Sequence, residues 1–335
     1  MAGAVSLRLP FVQKAKMLRL GVKVLAQIRR SSVEGYLKKW PFIFIGPFVV
    51  AYIAFFLFPL LYSLYISFFE WNAWGEKVFI GFSNYGSLFT KDTIFVKSLA
   101  NTFIIALFVI PIVMVVGMVL ANILLNGPIK GKTFFRTANY LPYITTPVAV
   151  GIIFSLLFDQ KIGLANYILV SLGIFDKGIN WMLAPGAMQK GLLIFIIVWQ
   201  WTGYYTLMYS AGITNISPDV YEAAKVDGAG SITTFVKITV PLLNKVTYFL
   251  GVTSIIYCLQ LLDQPYILLR GLGQDPVTTP ERPITTVLMH LMDQGISKGR
   301  FGYGAAMTYT MFIFILIFTF IGMKIMKGGL DDENS

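Results

Sequence analysis

The chain has 335 residues, 56% of them hydrophobic and 13% charged, with a formal net charge of +11 and a mean hydropathy of +0.71. Soluble domains carry about 25% charged residues, so this composition argues against a soluble protein and for lipid as the solvent. One cysteine and one histidine remove the disulfide frameworks and zinc sites that need several such ligands, and no catalytic triad or metalloprotease motif is present.

Residues 1–40 carry nine lysines and arginines, with Phe11, Ala15, Leu18, Val22 and Leu25 at helical spacing among them. That is the pattern of a basic amphipathic helix lying on anionic lipid. The first apolar run starts at Pro41 and is too long for the roughly 7–15-residue core of a signal peptide, so the leader is expected to stay on the chain. A helix needs about 20 apolar residues to cross a bilayer. Six uncharged windows meet or approach this: 41–69, 98–129, 137–158, 191–218, 246–262 and 301–323. Trp40, Trp71 and Trp74 flank the first window as interfacial aromatics, and Trp199 and Trp201 read as the same kind of belt. The uncharged stretch 162–175 is too short to span and reads as an interfacial or external helix. Orientation follows from Lys and Arg. The leader, the loop with Lys130, Lys132 and Arg136, the loop with Lys225, Lys237 and Lys245, and the tail with Lys324 and Lys327 together hold 17 of the 27. They share one side, so both termini are predicted cytoplasmic. The positive charge thus reads as a topology signal and not as a nucleic-acid footprint. The expected architecture is an all-α integral membrane protein of six spans over residues 41–327. The leader precedes it, and a short acidic tail, 328–335, follows.

The stretch "NGPIKGKT" (126–133) resembles a phosphate loop, but Asn126 stands where the motif needs glycine. It also follows an apolar helix and not a strand. It reads as a basic turn, so the chain carries no nucleotide site of its own.

The most informative loop is 215–241, "NISPDVYEAAKVDGAGSITTFVKITVP". Ser217 can cap a helix that starts at Pro218, with Asp219 near its positive end. Gly228 and Gly230 can end it through positive φ. Ser231 is then read as the cap of a second short helix running to Ile238, and Pro241 as the entry to the next span. Ala223, Ala224 and Ala229 beside glycines let another surface approach closely, which suggests a docking element in the cytoplasm. The membrane windows contain no ionisable side chain, which counts against an ion-coupled transporter or channel working alone.

The run "EAAKVDGAGSITTFVKITVPLL" (222–243) resembles the EAA loop of binding-protein-dependent ABC importer permeases. The segments "FIGFSNY" (79–85), "LANTF" (99–103), "FFRTANYLPYI" (134–144) and "FGYGAAM" (301–307) resemble recurring pieces of the maltose and multiple-sugar branch. Departures are "RGLGQDPVTTP" (270–280), where a Gly-Gly-Pro-rich turn is common, and Asn244, where a second proline is common. The resemblance implies a type I importer permease in a bacterial or archaeal cell membrane. Its partners are a second, homologous permease, two cytoplasmic ATPases that hold ATP and Mg, and an extracytoplasmic solute-binding protein. Tyr221, Glu222, Ala223, Ala224, Asp227, Gly228 and Ala229 are then the ATPase-coupling residues, and Glu222 meets a basic group of the ATPase. By position, Tyr204, Ser254, Tyr257, Cys258 and Leu261 are the candidates for contact with a carbohydrate. The last four of these are read as one face of the fifth span, with Gln260 and Asp263 off it. The expectation is therefore a transport subunit and not an enzyme. A non-sugar solute on the same architecture is the alternative, which the "FIGFSNY" and "FGYGAAM" segments disfavour.

Overall fold

The computed structural model describes residues 43–72, 75–181, 184–271 and 282–331, with side chains to residue 324. The leader 1–40, the segment 272–281 and the tail beyond Asp331 lie outside the described residues. The chain divides into two units, Met1–Ser63 and Leu64–Ser335. What is described of the first belongs to helix α1, Ile43–Ile66.

Helix α1 widens to a π turn over Ile53–Leu57, where the Phe58 N–H reaches back five residues to the Ile53 carbonyl. Pro59 follows. A proline ring presses on the carbonyl four residues before it, and the wider turn relieves that pressure. The same device recurs at Phe235–Thr239, where the Val240 N–H bonds to the Phe235 carbonyl just before Pro241.

The second unit begins with one departure from the expected all-α fold. Phe69–Glu70 (β1) and Val78–Phe79 (β2) form a two-residue antiparallel ribbon, pairing Phe69 with Phe79 and Glu70 with Val78. Asn84 holds it by donating to the Ser67 and Phe69 carbonyls at 2.9 and 3.0 Å. It sits in the short helix α2, Ser83–Thr90.

Next come α3, Thr93–Asn126, α4, Lys132–Ile144, α5, Pro147–Leu157, and the short α6, Leu164–Ser171. They are followed by α7, Gly186–Thr214, α8, Pro218–Val226, α9, Ser231–Leu242, and α10, Asn244–Leu259. Last are α11, Asp263–Gly271, α12, Val287–Leu291, and α13, Phe301–Asp331. Four of these helices (α1, α3, α7 and the Phe301–Lys324 part of α13) are long and apolar enough to cross a membrane. Two bent pairs, α4 with α5 at 98° and α9 with α10 at 66°, pass the same test together. The window 137–158 is therefore not a straight rod, and 246–262, whose helix ends at Leu259, passes the test only together with α9. In the first, Pro147 pushes the preceding residue out of helical backbone. Thr146 sits at ψ 140° and caps α5 by accepting from the Ala149 N–H at 3.3 Å.

The core is built where α3 lies along α7 and α5 lies along α11. Val113, Ala121, Tyr205, Tyr209, Ile213 and Leu250 form one buried cluster, and Ile105, Val150, Leu193, Ile197 and Leu268 another. Glycine sets the helix spacing at two crossings. A Cβ on Gly117 of α3 would stand 2.5 Å from the Tyr205 Cβ, and one on Gly203 of α7 would stand 2.7 Å from the Tyr140 Cα of α4. Backbones can approach this closely only over small residues, as is usual for helices packed in lipid.

Asp92 ties three elements together. It caps α3 by accepting from the Phe95 N–H at 2.9 Å, and it accepts from His290 Nε2 at 2.8 Å and the Tyr303 hydroxyl at 2.7 Å. Burial alone would raise its carboxyl, but these hydrogen bonds outweigh burial and bring it down from 3.8 to about 2. The contribution is present above the ordinary carboxylate range and is lost as the pH falls toward 2.

Two outcomes are expected in thermal unfolding of the purified complex. Asp92→Ala, which removes cap and acceptors, should cost about 2–4 kcal/mol, and Asp92→Asn, which keeps the cap, about half of that. Gly203→Leu should cost about 3 kcal/mol or prevent assembly by overpacking, while Gly191→Leu, at an open position, should be tolerated.

Candidate functional site

Two places concentrate polar and aromatic groups that packing alone does not require. The first is a cavity of about 760 Å³ reached by α7, the α4–α5 bend, the end of α10, α11, α12 and α13. Along α7, Gln200, Trp201, Tyr204 and Tyr205 fall at i, i+1, i+4 and i+5, which is one side of a helix, and all four line it. Tyr143, near the end of α4, stacks on Tyr204 with ring centroids 4.9 Å apart and planes 19° apart. Trp201 meets Tyr257 edge-on at 6.3 Å.

The polar groups come from the two helix breaks. α10 stops at Leu259 and α11 starts at Asp263, and Gln260, Asp263 and Gln264 line the cavity at that gap. At the other break, the carbonyl of Thr145 loses its helical partner. Gln200 Nε2 donates to it at 3.2 Å, and Gln264 Nε2 donates to Gln200 Oε1 at 3.1 Å. In lipid a freed carbonyl must be satisfied within the protein, and irregular backbone is tolerated where it is buried or lines a cavity. The two glutamines meet that requirement and join α7, α11 and the α4–α5 bend.

Of the carbohydrate-contact candidates, Tyr204, Tyr257 and Leu261 line this cavity. Ser254 and Cys258 do not. Ser254 is fully buried, hydrogen-bonded to the Tyr205 hydroxyl and the Leu250 carbonyl. Cys258 is packed in the apolar cluster with Ile105 and Leu193. The i, i+3, i+4, i+7 face splits because α10 ends at Leu259, so Leu261 is not on it, and because Ser254 and Cys258 point into the packing with α7 and α3. Gln260 and Asp263, read as off that face, line the cavity, as does Trp201. Gln200 and Gln264 are missed entirely by the sequence reading. For Gln200 the available signal was an amide inside an apolar run, which needs a partner when buried; Gln264, between Asp263 and Pro265, carried no such signal. Trp199 is 41% exposed and packs edge-on against Phe154 at 5.1 Å.

The second place is the α8–α9 pair. Ser217 caps α8, accepting from the Asp219 N–H at 3.4 Å, with Pro218 in the first turn. The helix ends in a Schellman turn: the Gly228 N–H bonds to the Lys225 carbonyl at 3.1 Å and the Ala229 N–H to the Ala224 carbonyl at 2.9 Å. Gly228 takes φ +74°, which explains glycine there. Gly230 does not share this role. It has φ −71° and ψ 163° and is itself the cap of α9, so Ser231 is the first helical residue and not the cap. α9 runs past Ile238 to Leu242, and Pro241 lies inside it.

Ala224 is buried, Ala229 half-buried and Ala223 exposed. Tyr221 reaches α9, with its hydroxyl 3.3 Å from Thr239 Oγ1. Glu222 and Asp227 are exposed and take part in no ion pair found among the described residues. Glu222 and Lys225 border a cleft of about 760 Å³ that also includes Asn122 and Asn126 at the end of α3. Around the turn, Val226 is 87% and Ile232 81% exposed.

A bundle of apolar helices with two bent pairs, a cavity with polar groups at the α4–α5 and α10–α11 breaks and an exposed helix pair is the layout of a multi-pass transport permease. The family described as "Binding-protein-dependent transport system inner membrane component" matches residues 94–327, and the chain belongs to it. It is a transport component and not an enzyme. The arabinooligosaccharides transport system permease protein AraP of Bacillus subtilis (strain 168) is 32% identical over 86% of this chain and 88% of its own length. The lactose transport system permease protein LacF of Rhizobium radiobacter is 31% identical over 89% and 97%. A solved structure of a bacterial alginate ABC transporter, in complex with an alginate pentasaccharide-bound periplasmic protein, contains a chain of the same fold. Its TM-score is 0.71 at 18% identity, covering 86% of this chain and 94% of that one.

Paired substitutions should separate packing from lining. Ser254→Ala, which leaves the Tyr205 hydroxyl without its partner, should lower thermal stability by about 1–2 kcal/mol. Tyr204→Ala should change solute affinity more than stability. Melting curves with and without saturating solute check both.

Proposed function

We propose that this chain is one permease of a pair in an ABC importer and that the cavity between α7, α10, α11 and α13 is part of the path of an oligosaccharide. The observation that carries this reading is the lining itself. Tyr143, Trp201, Tyr204 and Tyr257 offer aromatic faces for the apolar sides of sugar rings, and Gln200, Gln260, Gln264 and Thr308 offer neutral donors and acceptors for hydroxyls. Sites of this kind combine apolar walls with a few placed polar groups. The names of the relatives, which transport arabinooligosaccharides and lactose, support the same class.

In this reading α1, α3, α4–α5, α7, α9–α10 and α13 are six spans with both termini in the cytoplasm. The turn at Gly228 faces the cytoplasm and seats in a cleft of an ATPase partner, with Val226 and Ile232 covered on docking and Glu222 against a basic group. ATP and Mg belong to the two ATPases, and the solute arrives on an extracytoplasmic binding protein. Closure of the ATPases moves α8 and α9 as a rigid body, and the bundle alternates between access to each side. The rigidity has a local cause. Tyr221 joins α8 to α9, and the Schellman turn fixes the angle between them.

The test is solute-dependent ATP hydrolysis by the reconstituted complex. Glu222→Ala should lower stimulation by at least tenfold with the complex still assembled. Gly228→Pro should abolish it, since φ +74° is closed to proline. Unchanged stimulation in Glu222→Ala would remove the coupling role.

A further inference from the structure

The charge of the cavity bears on what can enter it. We infer that Asp263 makes the path selective for neutral oligosaccharides and against sugars that carry a carboxylate or another anionic group. This rests on the reading of the cavity as the solute path.

Among the described residues that line the cavity, Asp263 is the one carboxylic acid, and there is no lysine or arginine. It is the first residue of α11 and is exposed where the helix begins. It takes part in no ion pair found among the described residues. The nearest cation along α11 is Arg270, which stacks over Tyr266 at 4.9 Å and is not part of the lining. The other polar groups that face the space are the amides of Gln200, Gln260 and Gln264 and the hydroxyls of Thr308 and the tyrosines, none of them a carboxylate or a cation.

A carboxylate accepts hydrogen bonds from sugar hydroxyls, so Asp263 suits a neutral ligand. It repels a second carboxylate. A round cavity of about 760 Å³ is roughly 11 Å across, so a sugar's charge inside it lies within about that distance of Asp263. At an effective dielectric of about 20 that repulsion weakens binding by about tenfold or more. The beginning of α11 has the positive end of a helix dipole, but the acid already occupies that end and complements it.

The test uses the purified complex of both permeases and the ATPases, without the binding protein, whose own selectivity would mask the effect. Equilibrium binding is measured for radiolabelled maltotriose, cellotriose and lactose, and for the same sugars oxidised to a uronate at C6 of the non-reducing unit. The uronate form should bind at least tenfold more weakly than its neutral parent to the wild type. In Asp263→Asn the gap should close to within about threefold, and in Asp263→Glu it should persist. Equal binding of neutral and uronate forms by the wild type, or a gap unchanged in Asp263→Asn, overturns the charge filter and leaves the carbohydrate reading standing. Binding of none of these sugars sinks the carbohydrate reading, and the filter with it.

Discussion

A backbone carbonyl in a bilayer has no water to bond, so each place where a helix breaks must be repaired from within. That constraint explains the arrangement of this protein better than any single packing contact. The α4–α5 bend frees the carbonyl of Thr145, and Gln200 supplies the missing donor. Gln264, just past the α10–α11 break, completes the chain of amides. The two irregularities thus lie against the same cavity; the glutamines that repair the first also offer groups to hydroxyls, while at the second Thr286 donates to the Leu261 carbonyl at 2.7 Å. The aromatic residues then have a defined frame, with Tyr143 and Tyr204 stacked across the bend.

The same economy appears at the other end of the spans. The α8–α9 angle is set by backbone hydrogen bonds around Gly228 and by Tyr221 against Thr239. The π turn before Pro241 lets α9 continue where a regular turn would clash. A 66° bend then joins it to α10, and Ser254 of α10 is bonded to Tyr205 of α7. Short, hydrogen-bonded elements thus connect the exposed turn to α7, the helix that lines the cavity. In the proposed reading these contacts are the physical connection between the turn and the cavity.

Much of this is written in the sequence where local chemistry decides the outcome. Ser217, Pro218 and Gly228 carry their own instructions for capping and positive φ, and α8 ends where they say. The long apolar runs give α1, α3, α7 and α13. What the sequence leaves open depends on tertiary context. The run 137–158 reads as one apolar window, yet Thr146 and Pro147 divide it, because an apolar count is blind to a start signal inside it. Ser254 and Cys258 share a face with Tyr257 on paper, but the neighbours of α10 bury two of them and leave the third in the cavity. Gln200 and Gln264 are 64 positions apart and become a pair only once the breaks bring them together. Gly230 looks like Gly228 in composition and differs in backbone, since only the residue that closes the Schellman turn needs the left-handed region.

The central claim is that the space at the helix breaks is the solute path and changes its exposure with the ATPase cycle. A direct measurement is the labelling rate of Gln260→Cys in the assembled complex with a membrane-impermeant maleimide. The native Cys258 is buried in the apolar core and contributes little background. Transported solute should slow labelling, and trapping the ATPases in their closed state should change the side from which the reagent reaches the thiol. Labelling indifferent to both solute and nucleotide state would contradict it.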